Sequence, residues 1–135
     1  MKELNIILVY DKEKENILMC KRTKEPYKGK FNLVGGKIEE NENHIDAAYR
    51  ELEEETNITK HDITLIKLMD FKYEISEICL EVYMGILNKD VDLIDEINPL
   101  SWIDVKENFF DMEKFAGEGN IGHIVEQSKL FNQLL

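Results

Sequence analysis

Cysteine, proline and tryptophan are scarce in this chain, at two, two and one in 135 residues. Cys20 and Cys79 can pair only with each other, and their spacing does not resemble a metal knuckle. They read as two reduced core thiols of a cytosolic protein rather than as a disulfide framework. Pro26 and Pro99 lie far apart and the seven glycines do not cluster into a linker or a low-complexity tract, so no domain boundary is expected within residues 1–135. Long apolar runs are missing as well. The longest, Ile6–Tyr10, falls far short of the roughly 20 residues that span a bilayer, and no cleavable apolar core follows Met1-Lys2-Glu3. Basic residues are in short supply, with 17 Lys and Arg against 28 Asp and Glu and a net charge of −11. That balance excludes a DNA or RNA polymer as partner, because such binding rests on neutralising phosphates. What is present is 43% apolar and 33% charged residues, enough for one packed, acidic, cytoplasmic domain.

Charge is segregated along the chain. Residues 21–37 carry six bases (Lys21, Arg22, Lys24, Lys28, Lys30, Lys37) against Glu25, a net +5. Residues 39–55 carry eight acids (Glu39, Glu40, Glu42, Asp46, Glu51, Glu53, Glu54, Glu55) against Arg50, a net −7. The alternatives are two solvated faces that happen to adjoin and a basic loop that works together with an acidic helix. Periodicity predicts strands at Leu4–Tyr10 and Ile17–Arg22, a loop at Lys24–Lys30, and a short strand at Phe31–Val34 ending in a tight Gly35-Gly36 turn. It also predicts a long hairpin from Ile63–Ile75 and Ile78–Leu87, a short strand at Ser101–Val105, and a final helix with Ile124, Val125, Ser128, Phe131 and Leu135 on one stripe. Strands with one helix among them and another at the end predict a mixed α/β layer architecture.

The segment 44–57 has helical period. Asn43 suits the N-cap with Asp46 three residues on, and Asn57 suits the left-handed residue that ends a helix, with Ile58 folding back on Leu52. At about 100° per residue Ile45, Ala48 and Leu52 share an apolar stripe, while Glu51, Glu54 and Glu55 crowd the adjoining face beside the small Ala47. Glu53 points to water. Exposed, such a face costs only about 0.2–0.5 kcal/mol per like-charge pair. In a cleft, two carboxylates about 5 Å apart repel by roughly 3 kcal/mol at an effective dielectric near 20. The face is therefore either solvated or the seat of a hard oxygen-seeking cation, Mg²⁺ or Mn²⁺.

From Gly36 the chain reads five residues, Glu42, seven residues, then Arg50-Glu51-Leu52-Glu53-Glu54-Glu55-Thr56-Asn57-Ile58. This resembles the signature of the Nudix (MutT-like) hydrolases, G-x5-E-x7-R-E-U-x-E-E-x-G-U with U a bulky aliphatic, and departs from it only at Asn57. The resemblance implies an α/β/α sandwich around a mixed β-sheet and metal-assisted hydrolysis of a nucleoside diphosphate linked to another group. It implies Glu54 and Glu55 as principal Mg²⁺ ligands, and Glu51 as a further ligand or as the base for the attacking water. Glu42 would lie in the outer site, Arg50 would orient the glutamates, and a carbonyl of Gly35 or Gly36 would complete the metal shell. A cation there also offsets the repulsion between a pyrophosphate and an acidic protein. Arg22, Lys24 or Lys37 would reach the outer phosphates.

Phe31-Asn32-Leu33-Val34-Gly35-Gly36-Lys37 is similar to a pattern in Nudix enzymes that remove oxidised purine triphosphates, which makes Asn32 a base reader or, alternatively, a turn-forming residue. Phe115 would stack on the base and Glu118 accept from it, or lend its carboxylate to metal or water; the competing readings are a core Phe and a solvated Glu. Tyr27 either covers the nucleoside or packs on its loop, with packing preferred. Gly117-Glu118-Gly119-Asn120-Ile121-Gly122 spells a dinucleotide fingerprint, but too little chain follows for the βαβ unit it needs. His44, His61 and His123 are not spaced as a zinc set and read as surface or capping residues. The expectation is a Mg²⁺-dependent (or Mn²⁺-dependent) hydrolase, monomer or homodimer, for a small-molecule nucleotide. A purine (deoxy)nucleoside triphosphate, including the 8-oxo-dGTP type, comes first. ADP-ribose or a nucleotide-sugar is the alternative, and a non-catalytic nucleotide sensor the reading from another class.

Overall fold

A computed structural model describes residues 1–134. The chain is organised around the apolar run at its start, which forms β1 (Lys2–Tyr10). Side chains alternate across a strand, so Ile7 and Val9 enter one core while Leu8 and Tyr10 enter the other. β1 is therefore buried on both faces. It pairs in parallel with β6 (Ile78–Ile86), antiparallel with β4 (Val34–Lys37), and at Tyr10 with β2 (Asn16–Lys21). β2 also carries β3 (Phe31–Asn32) and β7 (Leu100–Asp104), and β5 (Ile66–Tyr73) closes the far edge on β6. The sheet has seven strands and is mixed.

One helix covers each face. α1 (His44–Thr56) buries Ala48 and Leu52 against Ile7, Val9, Leu18 and Val34. α2 (Asn120–Leu134) buries Ile121, Ile124 and Val125 against Leu8, Met19, Val82 and Met84. The α/β/α sandwich is the expected one. On the final stripe Ile124, Val125 and Ser128 are buried, and Leu135 lies outside the described residues. Cys20 is buried and Cys79 partly so, and both thiols are free. No helix among the described residues is long and apolar enough to cross a membrane.

Two expected elements differ. Phe31–Val34 divides into β3 and β4, and Gly35-Gly36 is paired strand instead of a turn, opposite Ile6 and Asn5 of β1. A Cβ on Gly35 would lie 2.1 Å from the Asn5 carbonyl oxygen, so glycine there lets the two backbones approach. The hairpin strand stops at Tyr73, leaving Ile75 fully exposed in the turn, where the Glu77 N–H bonds the Glu74 carbonyl.

Candidate active site

α1 starts and stops where its caps dictate. The Asn43 Oδ1 accepts the N–H groups of Ile45 and Asp46 at 3.1 and 3.3 Å. Asn57 adopts φ 64°, and its N–H bonds the Glu53 carbonyl. Ile58 then joins the core that holds Leu52. This fixed register sends the glutamates in different directions. Glu53 and Glu54 are exposed, Glu51 is half-buried, and Glu55 is 7% exposed.

Arg50 gathers the acidic groups. Its Nε and Nη2 donate to the two oxygens of Glu42 at 2.7 and 2.9 Å, a two-pronged pairing that only the planar guanidinium provides. Its Nη1 reaches Glu51 at 3.1 Å and Glu54 at 3.3 Å, and its Nη2 also bonds the Lys37 carbonyl at 3.1 Å. The guanidinium holds the Glu42 carboxyl down at about 2. Burial works the other way on the two inner groups. It raises Glu51, with Arg50 opposing, and pushes Glu55 up to about 7 against the Gly35 N–H that donates to its Oε1 at 3.2 Å.

Gly36 forms a cradle for Glu51, since a Cβ there would lie 2.4 Å from the Glu51 Oε2. Next to it, the Asn5 Oδ1 accepts the Gly36 N–H at 3.0 Å. These groups are all oxygen donors, and two of the carboxyls are held in a setting that penalises their charge. That chemistry fits a hard divalent ion. Glu51, Glu54, Glu55 and the glycine carbonyls would hold it. Among the described residues the tightest clusters of metal-ligand types lie elsewhere, at Glu3–His44–Glu81 and Asp70–Cys79–Glu81. In the first of these His44 acts as a bridge, its Nδ1 2.7 Å from Glu81 and its Nε2 3.0 Å from Glu3, which ties the start of α1 to two strands.

A cleft of about 560 Å³ opens beside this face. Gly35, Gly36 and Glu55 line one part of it, with Arg22, Asn32, Tyr27, Tyr73, Glu118 and Asn120 on other walls and Leu80, Ile121 and Ile124 supplying apolar surface. A larger hollow of about 830 Å³ is more open and lies on the outer flank of α1, between Asp46, Arg50, Glu53, Glu54 and Glu96. The cleft is the better place for a ligand because it joins carboxylates, glycine backbone, a cation and an apolar floor.

Of the expected phosphate-binding cations only Arg22 lines the cleft, where its Nε is held by the Pro26 carbonyl at 2.7 Å. Lys24 and Lys37 are exposed and line neither hollow. The Asn32 Oδ1, at the end of β3, accepts the Leu33 N–H at 2.8 Å, a bond to local backbone, and the residue also lines the cleft. Phe115 corrects the stacking expectation. It is 1% exposed, its ring packed 5.1 Å from Phe109 and 6.4 Å from Phe31, so it offers a base no free face. Glu118 lines the cleft and accepts the Tyr27 hydroxyl. Tyr27, expected to pack on its own loop, instead reaches across to that residue. Two features escaped sequence reasoning: the Tyr27–Glu118 bond and the His44 bridge.

A family model of the NUDIX domain matches residues 3–122. The chain belongs to the NUDIX domain family. Its class is that of hydrolases acting on phosphoanhydride bonds, enzymes that generally use a divalent metal and bind small nucleotides. Solved NUDIX folds agree with the architecture. An Ap4A hydrolase binary complex from C. elegans shares 19% identity at a TM-score of 0.77, covering 98% of this chain and 99% of that one. The NUDIX domain of Shewanella oneidensis NrtR complexed with ADP ribose shares 15% at 0.71, covering 98% and 88%. A MutT protein from Methanosarcina mazei shares 22% at 0.68, covering 98% and 93%. A search of curated proteins finds no match to the sequence.

Proposed function

We propose that residues 1–135 form a Mg²⁺-dependent pyrophosphohydrolase, Mn²⁺ being able to replace Mg²⁺, that cleaves purine (deoxy)nucleoside triphosphates to the monophosphate and pyrophosphate. Substrates of the 8-oxo-dGTP type are included. The observation that carries this reading is a single cleft in which Glu55 and the Gly35-Gly36 backbone meet Arg22 and Asn32. Glu54 and Glu55 are the principal metal ligands, and a Gly35 or Gly36 carbonyl completes the shell. When bound, the metal polarises the phosphoanhydride and lowers the pKa of water. Glu51, seated against Gly36 and raised by burial, is a ligand or takes the proton of the attacking water. Arg50 fixes Glu51 and Glu54 and is itself anchored by Glu42. Arg22 is the cation for the outer phosphates, with Lys24 and Lys37 left as long-range attraction. With its oxygen held by Leu33, Asn32 offers its NH₂ to an acceptor on the base. The free thiols support a cytoplasmic setting.

ADP-ribose or another nucleotide-sugar is the second reading, supported by the ADP-ribose complex of the NrtR domain. A malachite-green assay with added pyrophosphatase, for triphosphates, and phosphatase, for nucleotide-sugars, run over a nucleotide panel with Mg²⁺, separates the readings. Turnover of purine triphosphates above the rest is expected. Preference for ADP-ribose would move the assignment to the second reading, and saturable binding without turnover of any compound would make the protein a sensor.

A further inference from the structure

The roof of the cleft is a four-residue turn suspended between two tyrosines. Gly117, Glu118 and Gly119 all lie in the left-handed region, at φ 85°, 51° and 90°. Glycine adopts that region freely, but Glu118 does so only when its surroundings hold it there. Two side-chain bonds hold the turn, one on Glu118 itself and one on Asn120. The Tyr27 hydroxyl, on the loop between β2 and β3, donates to the Glu118 Oε1 at 2.5 Å. The Asn120 Nδ2 donates to the Tyr73 hydroxyl, at the end of β5, at 2.6 Å. Tyr27 is itself fixed, at φ 67°, with its carbonyl accepting the Lys30 N–H. All four side chains line the cleft.

We propose that Tyr27 and Tyr73 are specificity-determining positioning residues. Their hydroxyls set the height of the 117–120 turn and the direction of its polar groups over the bound base, so that discrimination between bases depends on them while the hydrolytic step does not. The inference rests on the reading of this cleft as the nucleoside site. Neither hydroxyl is bonded to Glu51, Glu54 or Glu55; each instead holds a residue of the turn, so removing one changes the hold on the roof and leaves the α1 register alone. Because the two tethers pull on one turn, their effects on selectivity should couple.

The test is Tyr27→Phe, Tyr73→Phe and the double variant, with kcat and KM measured for ATP, GTP, CTP and UTP. Each single change deletes one oxygen and keeps the ring. The expected result is an about 3–10-fold fall in the kcat/KM ratio between the best and worst base, the range for losing one partly exposed hydrogen bond to a charged or polar group. The fall should appear in KM, with kcat within about twofold, and the double variant should differ from the product of the singles. A uniform change across all four bases, or an effect confined to kcat, overturns the proposal. If the wild type ignores triphosphates but cleaves ADP-ribose, the triphosphate reading fails and the same ratio is taken between ADP-ribose and its guanosine and uridine counterparts. If nothing turns over, the ratio of dissociation constants for the four α,β-methylene triphosphates decides in the same way.

Discussion

Replacing Glu55 by Gln should stabilise the metal-free protein at pH 8 and leave it almost unchanged at pH 4. The carboxyl is nearly buried. Desolvation lifts it from 4.5 to about 7, the Gly35 N–H working against that rise and Glu51 and Glu54 adding to it. A carboxyl whose folded value lies above its unfolded one binds its proton more tightly in the folded state. The resulting stability is complete below pH 4.5 and is lost as pH rises to about 7. At 1.36 kcal/mol per unit the full shift corresponds to about 3 kcal/mol, and relaxation around the ionised group brings the measurable gap to about 1–3 kcal/mol. Gln keeps an oxygen for the Gly35 N–H and carries no charge to desolvate. Urea denaturation in EDTA at the two pH values reads the difference, and Mg²⁺ in place of EDTA should narrow it at pH 8 by stabilising the wild type more than the variant. An equal change in stability at both pH values would refute the argument, because it would mean that Glu55 acts there through packing and not through charge.

Glu54→Gln should lower kcat by at least about 100-fold with the melting temperature kept within about 2 °C, since its side chain is half exposed and its expected role is as a ligand; near wild-type turnover would remove it from that role. Gly36→Ala places a Cβ 2.4 Å from the Glu51 Oε2, so kcat should fall about 10-fold or more while circular dichroism stays native, and full activity would show that the cradle is dispensable. Asn32→Ala should raise KM for a purine triphosphate more than for a pyrimidine one. An equal rise would leave Asn32 with its bond to the Leu33 N–H as its whole function.

α1 was legible residue by residue because local rules govern it. Its caps at Asn43 and Asn57 and the Ala48–Leu52 stripe need no partner to be recognised, and the strands follow from period in the same way. Relations across the sheet were not legible. Periodicity says that Gly35 and Gly36 interrupt a pattern, but only the register with Ile6 and Asn5 shows that they are paired. At Phe115 sequence alone leaves a base-stacking ring and a core ring as competing readings, and its packing against Phe31 and Phe109 decides for the core. Tyr27 meets Glu118 across 91 positions, and His44 meets Glu81 across 37. In both cases strand order, not local pattern, brings the pair together.

The most direct measurement is Mn²⁺ binding to the wild type and to Glu51→Gln, Glu54→Gln and Glu55→Gln, followed by electron paramagnetic resonance with a purine nucleotide present. Saturable binding by the wild type that weakens about 10-fold or more in the variants is the expected result. Equal affinity in all four proteins, or no Mn²⁺ retained by any, would contradict the claim that the α1 carboxylates gather the ion that makes this cleft a hydrolase site.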